Sequence, residues 1–182
     1  MIASPIRLIR TAVLTAGLAA SLSLSASAAE QQTFNAFSAW TGQGFTVQSG
    51  PNEKTFVGSV TGRVYVETDK GPTDAGEMIC PLKLKVNTQT GSQEMSGTCT
   101  IAGNDGALMN LDLKCTGVYM VGCKGDSTIA AGGTGRFAKV TGGGPFTIRA
   151  ARREASQDGS TAIIDQSASG IIFWRGFKYN MP

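Results

Sequence analysis

The chain has 182 residues and not one histidine. This removes serine–histidine and cysteine–histidine nucleophile pairs, and with them the histidine-ligated zinc sites of hydrolases. No G-x-S-x-G elbow occurs, because Ser59, Ser92, Ser127 and Ser160 all lack the flanking glycine pair. The Cys-x-x-Cys spacing of redox and zinc motifs is also absent. Charged residues are sparse, and the 13 carboxylates stand singly in turns and outward strand positions, so no acid pair of the glycosidase kind can be nominated. Aromatic content is low and helical periodicity almost missing, whereas 24 glycines are present. Such a composition argues against a helical bundle and for short strands joined by tight turns.

The one long apolar run lies at the start. Arg7 and Arg10 precede the uncharged stretch from Thr11 to Leu24, and Ala26-Ser27-Ala28 supplies the small residues that a signal peptidase needs. Residues 1–28 therefore read as a secretory signal peptide, with cleavage after Ala28 or, alternatively, Ala29. The run falls short of the roughly 20 apolar residues that span a bilayer, so no integral membrane span is expected. The short, arginine-bearing leader points to a bacterial cell and to export into the periplasm or beyond. Its removal takes two of the 16 basic residues and leaves 14 against 13 acids, close to neutral. That balance carries no electrostatic footprint of nucleic-acid binding. Arg149, Arg152 and Arg153 cluster on one segment, which reads as a solvated edge.

Residues 29–182 suit one domain with a single core. Alternation with a period of two recurs throughout. Phe56, Gly58, Val60, Gly62, Val64 and Val66 share one face of a long strand. Lys70 to Gly76 reads as a turn or loop, followed by a strand from Met78 to Val86 with Cys80, Leu82, Leu84 and Val86 on its apolar side. Glu94 to Ala102 returns, and Gly103-Asn104-Asp105-Gly106 is a hairpin signal. Beyond it, Ala107, Met109, Leu111, Leu113 and Cys115 face inward. Further strands are expected within 34–47 and at 124–130, 146–153 and 162–174. About eight antiparallel strands with one apolar face predict an all-β fold, a single eight-stranded barrel, since closure removes exposed edges.

Four cysteines in an exported chain predict two disulfides, for which three pairings exist. A hairpin turning about Gln89-Thr90 sets Cys80 opposite Cys99, Leu82 opposite Gly97 and Leu84 opposite Met95. Cys115 and Cys123 would then clasp a short loop. This preference rests on alternation, so a one-residue slip would change it. The spacings of 19, 16 and 8 residues do not suit a metal site, and none is expected.

The densest glycine segment is Gly132-Gly133-Thr134-Gly135-Arg136-Phe137, continuing through Gly142, Gly143 and Gly144 to Phe146. It lacks the terminal Lys-Ser/Thr of a P-loop, and no helix pattern follows to offer its N-terminus to a phosphate. Gly132, Gly133, Gly135, Phe137, Gly142 and Gly144 therefore read as a structural glycine loop. The pattern GGTG-x-F-x4-G-x-G-x-F at 132–146 resembles a segment of allene oxide cyclase-like and dirigent-like barrels, where it precedes a late strand. The resemblance implies a barrel that encloses reactive or apolar molecules without cofactors, and a homo-oligomer. It carries no catalytic residue onto this chain.

By phase, the side chains that would line an enclosed small apolar ligand are Phe56, Val60, Val64, Leu84, Met95, Met109, Leu111 and Ile148, with Arg152 projecting inward near a rim. The same residues could equally fill the interior solid, because an eight-stranded barrel has just room for either. The tail from Gly170 to Tyr179 is unusually apolar and reads as a closing strand. Two functions follow: a noncatalytic envelope protein that binds a small apolar ligand or meets another macromolecule, or a cofactor-free isomerase or cyclase.

Overall fold

The computed structural model describes residues 31–156 and 163–181; the leader expected at 1–28 lies outside them. Eight strands follow one another, each antiparallel to the next: β1 (Gln31–Gly50), β2 (Glu53–Thr68), β3 (Gly71–Asn87), β4 (Ser92–Gly103), β5 (Leu108–Val118), β6 (Gly122–Ala130), β7 (Thr141–Ser156) and β8 (Ile163–Asn180). β8 pairs with β1 as well as with β7, so the sheet closes into a barrel. The fold is the one expected from alternation. The apolar tail is the closing strand.

The inward face follows the sequence pattern closely. Along β3, Met78, Cys80, Leu84 and Val86 are buried while Glu77, Ile79, Lys83 and Lys85 are exposed. Along β5, Met109, Leu111, Leu113 and Cys115 are buried and Asp112 and Lys114 exposed. β4 lies on β3 with Leu82 opposite Gly97 and Leu84 opposite Met95. Asn87 directs this hairpin, since its side-chain oxygen accepts from the Gln89 and Thr90 amides at 2.9 and 3.0 Å. Cys80 and Cys99 are joined across the pair, and Cys115 and Cys123 across β5 and β6, leaving no free cysteine. Both bridges lie within the arc from β3 to β6, and such bonds fit a non-cytoplasmic protein.

Two local expectations are corrected. The segment 70–76 is not a loop, because β3 starts at Gly71 after a turn at Asp69-Lys70. Its turn-like composition serves a bulge instead: Val64 faces Gly76 but Tyr65 faces Asp74, so Ala75 is the extra residue. Gly76 takes φ +141° there, and a Cβ would lie 2.0 Å from the Ala102 carbonyl oxygen. Likewise Gly142 and Gly144 belong to β7 and not to a loop, so the glycine segment divides. Only residues 131–140 connect β6 to β7, with one 3-10 turn at Gly135–Phe137.

Outside, the barrel has two characters. β3 to β6 carry exposed Lys83, Lys85, Glu94, Asp112, Lys114, Lys124 and Asp126. Across β2, β1 and β8 runs an aromatic row in which Phe37 stacks on Tyr65 at 5.4 Å and meets Phe173 at 6.5 Å. Arg175 lies over the Phe173 ring. No helix among the described residues is long and apolar enough to cross a membrane.

Removing the Cys80–Cys99 bridge by Cys80→Ala with Cys99→Ala should cost about 3 kcal/mol of stability for a loop of this length, read as a lowered denaturation midpoint. A second prediction concerns the bulge. Asp74 is paired with Arg63 and accepts from the Gly76 amide at 3.1 Å. The Arg63 hydrogen bond holds its carboxyl below the ordinary value. A depressed carboxyl supports the fold above its unfolded pKa, and that support is lost as pH falls through the folded one. The protection of the Gly76 amide, its exchange rate relative to that of the unfolded chain at the same pH, should therefore fall below about pH 4, and Asp74→Asn should abolish that pH dependence.

Candidate functional site

The barrel interior holds separate spaces, built by opposite ends of the same strands. The lid end carries Gln31, Asn180 and the β2–β3, β4–β5 and β6–β7 connections; the far end carries the β1–β2, β3–β4 and β5–β6 turns. Phe56, Val60, Leu84, Met95 and Ile148 surround a chamber of about 80 Å³ in the far half. Val64, Met109 and Leu111 line another of about 310 Å³ in the lid half. The predicted lining residues thus face inward as their phase required, but they divide between two spaces. Arg152, expected inward near a rim, follows a register shift between Ala150 and Arg152, and its side chain lies outside the described residues.

The partition has a clear cause at its far side. Trp40 sits opposite Gly62 on β2 and Gly170 on β8. A Cβ on Gly170 would lie 2.6 Å from the Trp40 ring and 2.2 Å from the Arg149 carbonyl oxygen. The indole therefore occupies space that only glycine leaves free. Phe56 covers Gly44 and Gly58 in the same way. Large rings and the disulfide sulfurs crowd this middle space to a volume below that of an apolar cavity that holds benzene, about 150 Å³. Beyond Phe56 and Leu84, a further space of about 170 Å³ lies at the far end, lined also by Thr46, Val86 and Tyr119.

The lid half is hollow because small side chains stand where large ones could. Ala36 lies beside Trp174 in the β1–β8 ladder, and Ala75 is the bulged residue of β3. Ile101, Ile129, Phe34 and Phe177 complete an apolar wall. Phe177 and Tyr179 reach it through a second bulge. Asn35 of β1 faces both Arg175 and Gly176, Gly176 takes φ +65°, and its amide donates to the Asn35 side chain at 2.8 Å. Strict alternation from Trp174 would have pointed Gly176 and Lys178 inward. These two aromatics were missed for that reason, and an isolated glycine inside an apolar strand is the signal that could have found them.

Over the chamber lies the 131–140 connection. Phe137 packs against the core and Val140 is buried. Backbone bonds moor it to β5: the Thr134 amide donates to the Leu108 carbonyl at 2.8 Å, and the Leu108 amide to the Thr134 hydroxyl at 2.9 Å. Arg136 pairs with Asp105 at 3.4 Å and lies over the Phe137 ring at 4.8 Å. Gly132 and Gly135 take positive φ, as does Lys139. The glycine segment of the sequence is therefore partly the cover of a cavity and partly the start of a strand.

The polar inventory of the interior is short. Ser127 donates to the Gly144 carbonyl at 2.9 Å, and the Ser38 hydroxyl to the Ala39 carbonyl at 3.3 Å. Three buried atoms have no partner among the described residues: the indole nitrogens of Trp40 and Trp174 and Oε1 of Gln93. No carboxylate of the described residues lines either chamber, and no described cluster of His, Cys, Asp or Glu could hold a metal. Tyr179 stands at the mouth of the lid chamber, its hydroxyl donating to Gln32.

Gly170→Ala should press a methyl into Trp40 and the β7 backbone and destabilise the barrel by about 1–3 kcal/mol; a denaturation midpoint equal to that of the unaltered chain would refute the account of the partition.

Neither a protein-family model nor a curated protein matches the chain.

Proposed function

We propose that this chain is a noncatalytic β-barrel protein exported to the bacterial envelope, where it encloses a small apolar ligand. One observation carries the reading: the lid half of the barrel holds an apolar cavity of about 310 Å³. That is twice the size of a cavity that takes up benzene and at the lower edge of ordinary ligand pockets. A barrel built only for stability would fill such a space, because each missing contact costs packing energy. The two disulfides support a destination outside the cytoplasm, and the leader read at residues 1–28 supplies the route.

A second reading keeps the same cavity and adds chemistry: a cofactor-free isomerase or cyclase of the allene oxide cyclase or dirigent kind, which the 132–146 segment resembles. Tyr179 at the cavity mouth favours it. Against it, acid–base catalysis needs a positioned proton donor or acceptor beside the reacting atoms. The tyrosine hydroxyl is engaged with Gln32, and no described carboxylate reaches the chamber. Binding is the better-supported function.

Native mass spectrometry of the protein isolated from the periplasm of its own cells should show a retained mass of a few hundred daltons, lost on mild activation. A clean apo mass, together with no uptake of apolar dyes, would refute the reading.

A further inference from the structure

One turn of the barrel carries side chains that neither the fold nor water asks for. The β5–β6 connection leaves Val118, Met120 and Val121 exposed to 55%, 55% and 51%. A large apolar residue exposed singly on a strand wall, such as Ile79, is ordinary; three within four consecutive residues at a tip are not. The turn is closed by the Val121 amide, which donates to the Val118 carbonyl at 3.1 Å. Met120 is its third residue and takes φ +69°, where glycine or asparagine is the usual choice. Other turns of this chain meet that demand with Gly91 and Gly106. A methionine there costs the turn and the surface alike, so its side chain answers to something outside the barrel.

The tip is also prepared for a medium poorer than water in hydrogen-bond partners. Its Tyr119 amide donates to the Gly91 carbonyl at 2.8 Å, and the Val121 carbonyl accepts from the Ala150 amide at 3.3 Å. The Cys115–Cys123 bridge holds its base, and Tyr119 packs back against the core. Backbone paired in this way enters an apolar layer without leaving a polar group unsatisfied. Beside this knob the charge is unbalanced. Lys54, Lys85, Lys124 and Arg149 stand near the far rim, against Glu53 and Glu94 among the described side chains. Lys85 takes up Glu53 at 3.8 Å. Lys124 follows the tip on β6, and Arg149 faces Gly122 from β7. Both are exposed and join no ion pair among the described residues. A second copy of the chain would bring the same cations against them, whereas an anionic surface with apolar depth matches both features.

We propose that the far end of the barrel docks on a lipid bilayer bearing anionic headgroups, with Val118, Met120 and Val121 inserted at the interface and Lys124 and Arg149 on the phosphates. The contact is peripheral, because a turn this short reaches the headgroups and upper acyl chains and spans nothing. It goes beyond the ligand-binding reading and does not depend on the lid chamber, which lies at the other end of the barrel.

Flotation of the disulfide-bonded protein with vesicles tests this, phosphatidylglycerol and phosphatidylcholine in equal parts against phosphatidylcholine alone. The protein should float with the mixed vesicles and bind them at least about tenfold more tightly than the neutral ones, as two cations near an anionic surface predict. Met120→Asn suits the left-handed turn, so its denaturation midpoint should not fall. It should weaken binding to the mixed vesicles about tenfold, the worth of one apolar side chain returned to water. Lys124→Gln with Arg149→Gln should remove most of the preference for the anionic vesicles. No flotation of the unaltered protein overturns the proposal, as does equal binding to both vesicles, or binding that Met120→Asn leaves unchanged. Self-association that grows with protein concentration and is lost in Met120→Asn overturns it too, and assigns the tip to a second copy. None of these results touches the ligand-binding reading, which the retained mass decides. The comparison of vesicles on the unaltered chain keeps the test sharp even where a variant does not fold.

Discussion

The ladder between β1 and β8 is the seam on which the rest depends. It joins the two ends of the described chain over most of the length of both strands, from the Gln31–Asn180 pair to the Val47–Ile163 pair. Without it the sheet would be an open, eight-stranded ribbon with two long edges and an apolar face exposed to water. With it, every inward side chain acquires neighbours around the full circle, and the interior becomes a space whose volume can be set residue by residue. Because the contacts are so remote in sequence, the seam yields its stabilisation only once the intervening strands are in place.

How that volume is set differs along the barrel axis. Midway along the barrel, rings lie over cross-strand glycines, and the space left there is small. In the lid half, alanines face rings and bulges redirect the strands, which leaves a hollow under the 131–140 cover. One sheet therefore does two jobs. Its packed middle supplies rigidity, and its lid half keeps an apolar surface away from water.

The architecture was legible because period-two alternation is a strong signal when one face is buried. Cys80, Leu82 and Leu84 fell opposite Cys99, Gly97 and Met95 as the alternation required, and the disulfide pairing followed from the same register. What could not be read were the places where the count of two is interrupted. Ala75 and the Arg175-Gly176 pair are bulges that reverse the inward–outward sense of the residues beyond them, and a further register shift falls at Ala151. Phe177 and Tyr179 were overlooked for this reason. A bulge is selected by contacts with a neighbouring strand, which alternation along one strand does not contain. The eight apolar lining residues, all on uninterrupted stretches, were read as inward, whereas their division between two chambers depends on Trp40 and its paired glycines.

The placement of the sulfurs has a mechanical meaning. Both covalent ties fall within the arc from β3 to β6, and among the described residues none crosses from β7 through β8 and β1 to β2. A ring strapped along one side yields on the other. Thermal breathing, or force applied to the chain ends, will part the hydrogen-bonded strands of the unstrapped side first, while the riveted side stays whole as the nucleus on which the circle re-forms.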